Sequence, residues 1–440
     1  MKLPQQMIRG FSKKTQAEKL ETVCLLFDEP EKVRKEFESF MHPNTETQHI
    51  LSQISENTLT NYPLPYNVAP NFQINGKMYM VPMVIEESSV VAAASSAAGF
   101  WAERGGFQAK VLSNLKNGQL HFLYKGDADK LKKAMPEIRQ FLMEHARPVT
   151  RNMERRGGGI TGIELRDLRK DMESYFQLHV TFNTMDAMGA NFINSCLEEF
   201  GTGLHEWLNQ TSGFNAEDFE PLMAILSNYN ENCLVEISVS CGINELEGAA
   251  KGLSAKNFVR RFALAVQIAE NDVSRATTHN KGIMNGVDAV ILATGNDFRA
   301  IEAGAHAYAA RSGKYRSLSN AKVTDDRFSF SLTMPMALGT VGGLTNVHPL
   351  AARSMEMLGN PSAETLMMIA AAAGLANNFA AVKSLTTTGI QAGHMRMHLT
   401  NILLQLKASK EETDLAQEFF LDKKVSHQAV QEYLAAIRID

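Results

Sequence analysis

The segment Arg275–Ala309, RATTHNKGIMNGVDAVILATGNDFRAIEAGAHAYA, gathers a lysine (Lys281), an aspartate (Asp297) and two histidines (His279, His306) among small residues and polar turns. A purely structural core does not need that mixture. Lys281 lies between Asn280 and Gly282, and Asp297 closes the turn TGND after the apolar run Val287–Ala293. Each charge is therefore expected at the end of a regular element, where catalytic groups often collect. Taken singly, each also has a plainer reading, as a solvated lysine and a helix-capping aspartate.

A second kind of chemistry is carried by the backbone. In DAMGANFIN (Asp186–Asn194) the small residues Ala187, Gly189 and Ala190 follow a strand pattern and open a helix. Free N–H groups at that positive end can hold a diphosphate, whereas an isolated run of this kind is more often an ordinary helix start. The paired glycines Gly342 and Gly343 of TVGG allow either a plain turn or close backbone approach to a ligand. Gly157–Gly159, preceded by Arg151, Arg155 and Arg156, reads as a flexible basic turn that could also meet a phosphate. His394, directly after Gly393, reads on its own as a capping or surface histidine.

Several common signatures are missing. The run GTGLHE at Gly201 lacks the third glycine of a Rossmann fingerprint. The Ser-x-x-Lys spacings at Ser113 and Lys116, and at Ser319 and Lys322, stand without companion motifs and read as chance. Neither H-E-x-x-H nor G-x-S-x-G occurs, and no metal site is expected.

The elements that must position these groups follow from periodicity. Residues 12–57 read as amphipathic helix, with Leu20, Val23, Leu26 and Phe27 at helical spacing before the break DEPEK. From Tyr62 to Val84, alternating apolar residues flank Asn75-Gly76, a hairpin signal. Glu86, Glu87, Ser88 and Ser89 lead into VVAAASSAAGFWAE, a closely packed helix expected to carry these acids and hydroxyls in its first turn. Between Gln108 and Leu222, strand-like HFLY and FQLHVTF alternate with charged helix over Asp127–His145, which suggests an inserted α+β domain. Ser354–Lys383 reads as core helix, and Gly389–Asp440 as an increasingly charged helical tail.

The chain has 440 residues, 44% hydrophobic and 21% charged, with formal net charge −4. This fits a globular protein and gives no footprint for nucleic acid or for a polybasic membrane contact. Cys24, Cys196, Cys233 and Cys241 are widely spaced, as expected of buried thiols in a reducing compartment. No apolar run is long enough for a membrane span or signal peptide, so a soluble cytoplasmic protein is expected.

In order, EESSVVAAAS, DAMGAN, RATTHNKGIMNG, ATGND, EAGAHAYA, TVGG and GIQAGHM resemble the soluble bacterial, class II, 3-hydroxy-3-methylglutaryl-coenzyme A (HMG-CoA) reductases rather than the membrane-anchored eukaryotic form. Any one of these motifs is weak, but their joint occurrence in that order is specific. The resemblance implies reduction of a thioester to an alcohol, HMG-CoA to mevalonate and CoA, with two NAD(P)H and with mevaldyl-CoA and mevaldehyde as bound intermediates. It implies that Lys281 stabilises the oxyanion, Asp297 neighbours that lysine, Glu87 donates a proton as the aldehyde is reduced, and His394 protonates the departing CoA thiolate. Ser89, Arg275 and Asn285 then contact the hydroxymethylglutaryl portion. Asp186, Ala187, Met188, Gly189, Ala190 and Asn191, with Gly342 and Gly343, bind the cofactor.

The implied fold is α+β. A large mixed substrate domain (1–107 and 223–379) carries an inserted small, non-Rossmann cofactor domain (108–222) and a helical C-terminal flap (380–440). The active site of such an enzyme lies between the subunits of a homodimer. Two departures stand out. Ser88 replaces the proline of the more usual EEPS, and Thr150-Arg151 stands where an NADH-preferring relative has an aspartate. Arg151 would attract a 2′-phosphate, so NADPH is the expected cofactor and NADH the alternative. Competing readings are the mevalonate-consuming direction of the same reaction, a non-redox CoA-thioester transferase or lyase, and a non-catalytic scaffold.

Overall fold

The computed structural model describes residues 7–387, 399–420, 423 and 425–438. Helices α1 (Gln16–Cys24), α2 (Pro30–Ser39) and α3 (Thr45–Gln53) form the N-terminal segment. Thr15 and Glu18 close a capping box on α1, and Pro30 opens α2, which explains the break at DEPEK. Strands β1 (Tyr66–Ile74) and β2 (Lys77–Val84) pair around Asn75-Gly76, whose φ values of 48° and 81° suit a primed hairpin turn.

After α4 (Val90–Ala102) comes β3 (Gln108–Tyr124), the strand that organises the molecule. Its first half, Gln108–Asn114, pairs with β7 (Cys233–Gly242), which continues through β9 (Arg327–Pro335) to β8 (Ser319–Val323). Its second half pairs with β5 (Tyr175–Asn183) on one side and β6 (Phe219–Leu226) on the other, and β4 (Gly159–Asp167) lies beyond β5. One strand thus serves two hydrophobic cores. The smaller runs from Leu120 to Phe219 and packs the sheet against α5 (Ala128–His145) and α7 (Ala190–Gln210), with α6 (Arg147–Glu154) beside them.

The larger core surrounds α8 (Ala255–Asn271), α9 (Val273–Ala293) and α13 (Ala363–Thr386), with α10 (Phe298–Ala309), α11 (Leu344–Val347) and α12 (Pro349–Met357) around them. Helix α13 is apolar and long enough to cross a membrane, but 78% of its most apolar window is buried in the fold, where it packs on α9 and α4. A Cβ at Gly286 would overlap the Ala373 carbonyl, and one at Gly374 would sit 2.7 Å from Val287. Glycines inside these two helices therefore let their backbones touch, which offsets the usual cost of glycine in a helix. A third cluster, Leu399–Leu434, joins helices Lys410–Phe419 and His427–Ile437. All four cysteines are buried and free, as expected.

Candidate active site

Lys281 is not at the end of an element. It lies inside the continuous 21-residue α9, which runs through Gly282 at ordinary contact distance from Ala381 of α13. The inward face carries Ala276, His279, Ile283, Met284 and Val287, all buried, while Lys281 points outward. His279 belongs to that core: its Nε2 lies 2.6 Å from Ser319 Oγ, which donates to Asn378 Oδ1, and burial pushes its pKa down to about 3. His306 likewise meets Tyr315 OH at 2.7 Å. Both histidines are structural in this chain.

Lys281 forms an ion pair with Glu87 from the loop between β2 and α4. Their side chains are 58% and 41% exposed, so an incoming molecule can reach the pair. The acids and hydroxyls of EESS precede α4 rather than forming its first turn. Ser89 is the N-cap, held at φ 76° with no capping hydrogen bond, and its buried Oγ has no partner. A left-handed serine is strained by about 1 kcal/mol or more, and a buried hydroxyl without a partner costs further. The helix start therefore gains no capping bond in return for this strain. Arg275, half-buried in the first turn of α9, makes no ion pair among the described residues, and burial lowers its pKa. Asn285 stands one turn beyond Lys281, half-buried and without a side-chain hydrogen bond among the described residues.

The backbone chemistry gathers elsewhere. Gly189 starts α7 at φ 90°, where a Cβ would overlap Thr184, and no side chain caps the helix. Asp186 accepts from the Ala363 N–H at 2.7 Å, and its carbonyl accepts from Thr340 N. An isolated bridge pairs Ala187 with Val341. Residues 187–192 thereby meet 341–345 and 295–297 around a cleft of about 510 Å³. Gly342 and Gly343, at φ 80° and 61°, have open space where a side chain would stand. Met153 of α6 lines the cleft, and Arg151 sits two positions earlier, exposed on the same helix.

Asp297 is on the rim of this cleft, at the N-cap of α10, where it accepts from Arg299 N and Ala300 N. Burial opposes its charge, but the Arg299 guanidinium and these N–H groups hold its pKa below the ordinary value. No bond joins it to Lys281 within the chain. Between Lys281 and the end of α9 run twelve residues, roughly 18 Å of helix. The lysine lies near the middle of α9 and the aspartate four residues beyond its end, with polar side chains gathered around one and glycine-shaped backbone around the other. His394 lies outside the described residues.

Sequence reasoning passed over Arg299, two positions from Asp297; Asn296, whose Oδ1 accepts from Gly339 N at 3.0 Å; and the half-buried carboxylate pair Asp288 and Glu302. An arginine two residues after a predicted N-cap was a usable signal for the first. The others depend on contacts between distant segments.

The family described as hydroxymethylglutaryl-coenzyme A reductase matches residues 19–399. The chain is 36% identical over 391 residues to the 3-hydroxy-3-methylglutaryl-coenzyme A reductase of Archaeoglobus fulgidus, covering 88% of this chain and 86% of that one. It is 30% identical over 393 residues to a probable enzyme of the same name from Borreliella burgdorferi, covering 88% and 85%. Among solved structures, the class II reductase of Streptococcus pneumoniae bound to NADPH in open conformations superposes with a TM-score of 0.71 at 36% identity, covering 87% of this chain and all of that one.

Proposed function

This chain belongs to the hydroxymethylglutaryl-coenzyme A reductase family, and on that premise we propose that it reduces HMG-CoA to mevalonate and CoA with two equivalents of NADPH, in a site completed by a second copy of itself. The observation that carries the reading is the reachable Lys281–Glu87 pair beside the partnerless Ser89 hydroxyl. A transferase using an enolate has no need of the glycine-lined cleft.

The cleft's donors fit a dinucleotide: α7 opens with uncapped N–H groups at Gly189, and Gly342 and Gly343 leave room against the backbone. NADPH bound there supplies the hydride for each reduction step. Lys281 is the cation that meets negative charge as it develops on the substrate carbonyl oxygen. Glu87, the ion-pair partner of the lysine, relays a proton from the Lys281 ammonium to that oxygen as the aldehyde becomes an alcohol, and the lysine regains its proton from solvent. Arg275, which has no carboxylate partner among the described residues, takes the free carboxylate of the hydroxymethylglutaryl group, with Ser89 and Asn285 as further contacts. His394 protonates the CoA thiolate, which keeps the thiolate from re-attacking the aldehyde. Arg151 favours NADPH over NADH by meeting the 2′-phosphate.

The separation along α9 supports the dimer. Twelve residues of helix separate Lys281 from the end of α9, and Lys281 is not among the residues lining the glycine-rich cleft. A two-fold axis that sets Lys281 of one copy against Asp297 of the other closes both sites at once. The exposed apolar residues Leu264, Ile268 and Val273 near the start of α9 suit a covered face. We assign residues 108–222 to the cofactor domain, 1–107 and 223–379 to the substrate domain, and residues from about 380 to a flap over the site; Gln108–Asn114 nevertheless pair with β7 of the larger core, β6 runs on to Leu226, and the flap begins within the last turns of α13. Loss of NADPH absorbance that requires HMG-CoA is the expected assay result. No consumption with the thioester present would overturn the reading.

A further inference from the structure

Lys116 is the one buried lysine among the described residues, 2% exposed in the middle of β3. Its Nζ donates to Thr184 Oγ1 at 2.6 Å, to the Ala187 carbonyl at 2.7 Å and to the Leu338 carbonyl at 3.2 Å. Thr184 Oγ1 in turn donates to the same Ala187 carbonyl at 2.7 Å. All three ammonium protons are used, yet no carboxylate accepts any of them. A buried cation held by neutral oxygens alone is costly, and a methionine of similar length would fill the space more cheaply.

The acceptors show what the cation joins. Thr184 and Ala187 belong to the turn that ends β5 and sets Gly189 at the start of α7, on the smaller core. Leu338 belongs to the segment that leaves β9 on the larger core and runs through Gly339 and Thr340 to Gly342 and Gly343. A Cβ at Gly339 would overlap Met188 N, so the two segments already touch. Lys116 sits beneath that contact and fixes both walls of the cleft to the strand that the two cores share.

We propose that Lys116 is a positioning residue for the dinucleotide, clamping the 184–187 turn to the 338–343 segment and adding its positive charge behind the uncapped start of α7. This rests on the reading of the cleft as the NADPH site. The clamp is also a titratable one. Burial pulls the Lys116 pKa down to about 8, and the facing groups, Cys233 of β7 and Asp186 of the turn, oppose that shift only in part. Above that pH a neutral amine keeps two N–H donors for three acceptors and loses its charge.

The test is fluorescence titration of the full-length protein with NADPH, alongside steady-state kinetics. Lys116→Met is expected to weaken NADPH binding at least about tenfold, roughly 1.4 kcal/mol, while kcat at saturating NADPH and KM for HMG-CoA stay within a few-fold. In the unmodified protein NADPH affinity should fall as pH rises through about 8, and the fall should be absent in Lys116→Met. Unchanged affinity in Lys116→Met, or a loss confined to kcat, overturns the proposal. If that variant does not fold, the pH series decides, and an affinity flat from pH 7 to 9.5 overturns it. Failure of the unmodified protein to bind NADPH at all would instead overturn the assignment of the cleft.

Discussion

On the proposed reading, the middle of α9 and the region beyond its C-terminus do different chemistry by different means. Along its N-terminal half the proposed working groups are side chains: Lys281 and Arg275 on α9, with Glu87 and Ser89 from the loop before α4, stand half-buried or exposed and partly unpaired, while the other face of α9 is core. Beyond its C-terminal end the working groups are mainly backbone: α7 begins without a cap, glycines hold left-handed angles, and Asp297 fixes a turn. Side-chain groups can be exchanged one at a time, whereas a backbone cradle depends on every residue that shapes it. Substitutions in the first region should therefore damage turnover, and those in the second should damage cofactor binding.

The largest effect is expected from Lys281→Ala, with kcat falling by about two to three orders of magnitude, as when an oxyanion stabiliser is lost. Near-normal turnover would return Lys281 to the status of a solvated lysine. Next, Gly189→Val forces a Cβ against Thr184 at φ 90° and should raise the NADPH dissociation constant about tenfold or more. A variant that binds NADPH normally but turns over poorly would blur the distinction between the two regions. Smaller still is Arg151→Ala, expected to lower the ratio of NADPH to NADH catalytic efficiencies several-fold. A ratio that does not move removes Arg151 from the site.

The smallest effect concerns stability. Asp288, inside α9, is pushed up to about 8 by burial and by the adjacent Glu302 carboxylate. Its folded pKa is thus above the unfolded value, so the folded state keeps a proton that the unfolded chain releases above about pH 4. The associated stabilisation is present at low pH and is lost as pH rises through the folded value. Asp288→Asn should therefore flatten the fall in Tm between pH 6 and 8.5 and raise Tm by a few degrees, roughly, at the alkaline end. Equal pH dependence in both proteins would place the titration elsewhere.

How much was legible depends on the same distinction. Ser-x-x-Lys at Ser113 and Lys116 looked like chance, and as a motif it was. The importance of Lys116 comes from Thr184, Ala187 and Leu338, which only the paired strands bring together. DAMGAN and TVGG could be read because a glycine at a helix start and a glycine pair constrain the backbone locally. The hairpin at Asn75-Gly76 and the helix expected over Asp127–His145 were likewise local, whereas the span expected as helix over Ser354–Lys383 is broken at Gly359–Pro361 between α12 and α13. Lys281 was expected at an element end because Gly282 beside it looks like a breaker, whereas α9 runs straight through it. The pairing of Lys281 with Glu87, across nearly two hundred residues, has no local signature, and only the resemblance grouped them.

The central claim, that each site takes Lys281 from one chain and Asp297 from its partner, is tested most directly by mixing two inactive variants. Lys281→Ala and Asp297→Ala would be co-expressed and the mixed dimers assayed with HMG-CoA and NADPH. In a mixed dimer one of the two sites receives an intact Lys281 and an intact Asp297. Random pairing should thus restore about a quarter of normal activity. Lys281→Ala mixed with Glu87→Ala should restore none, since those residues share a chain. A Lys281→Ala and Asp297→Ala mixture as inactive as its parents would contradict the account.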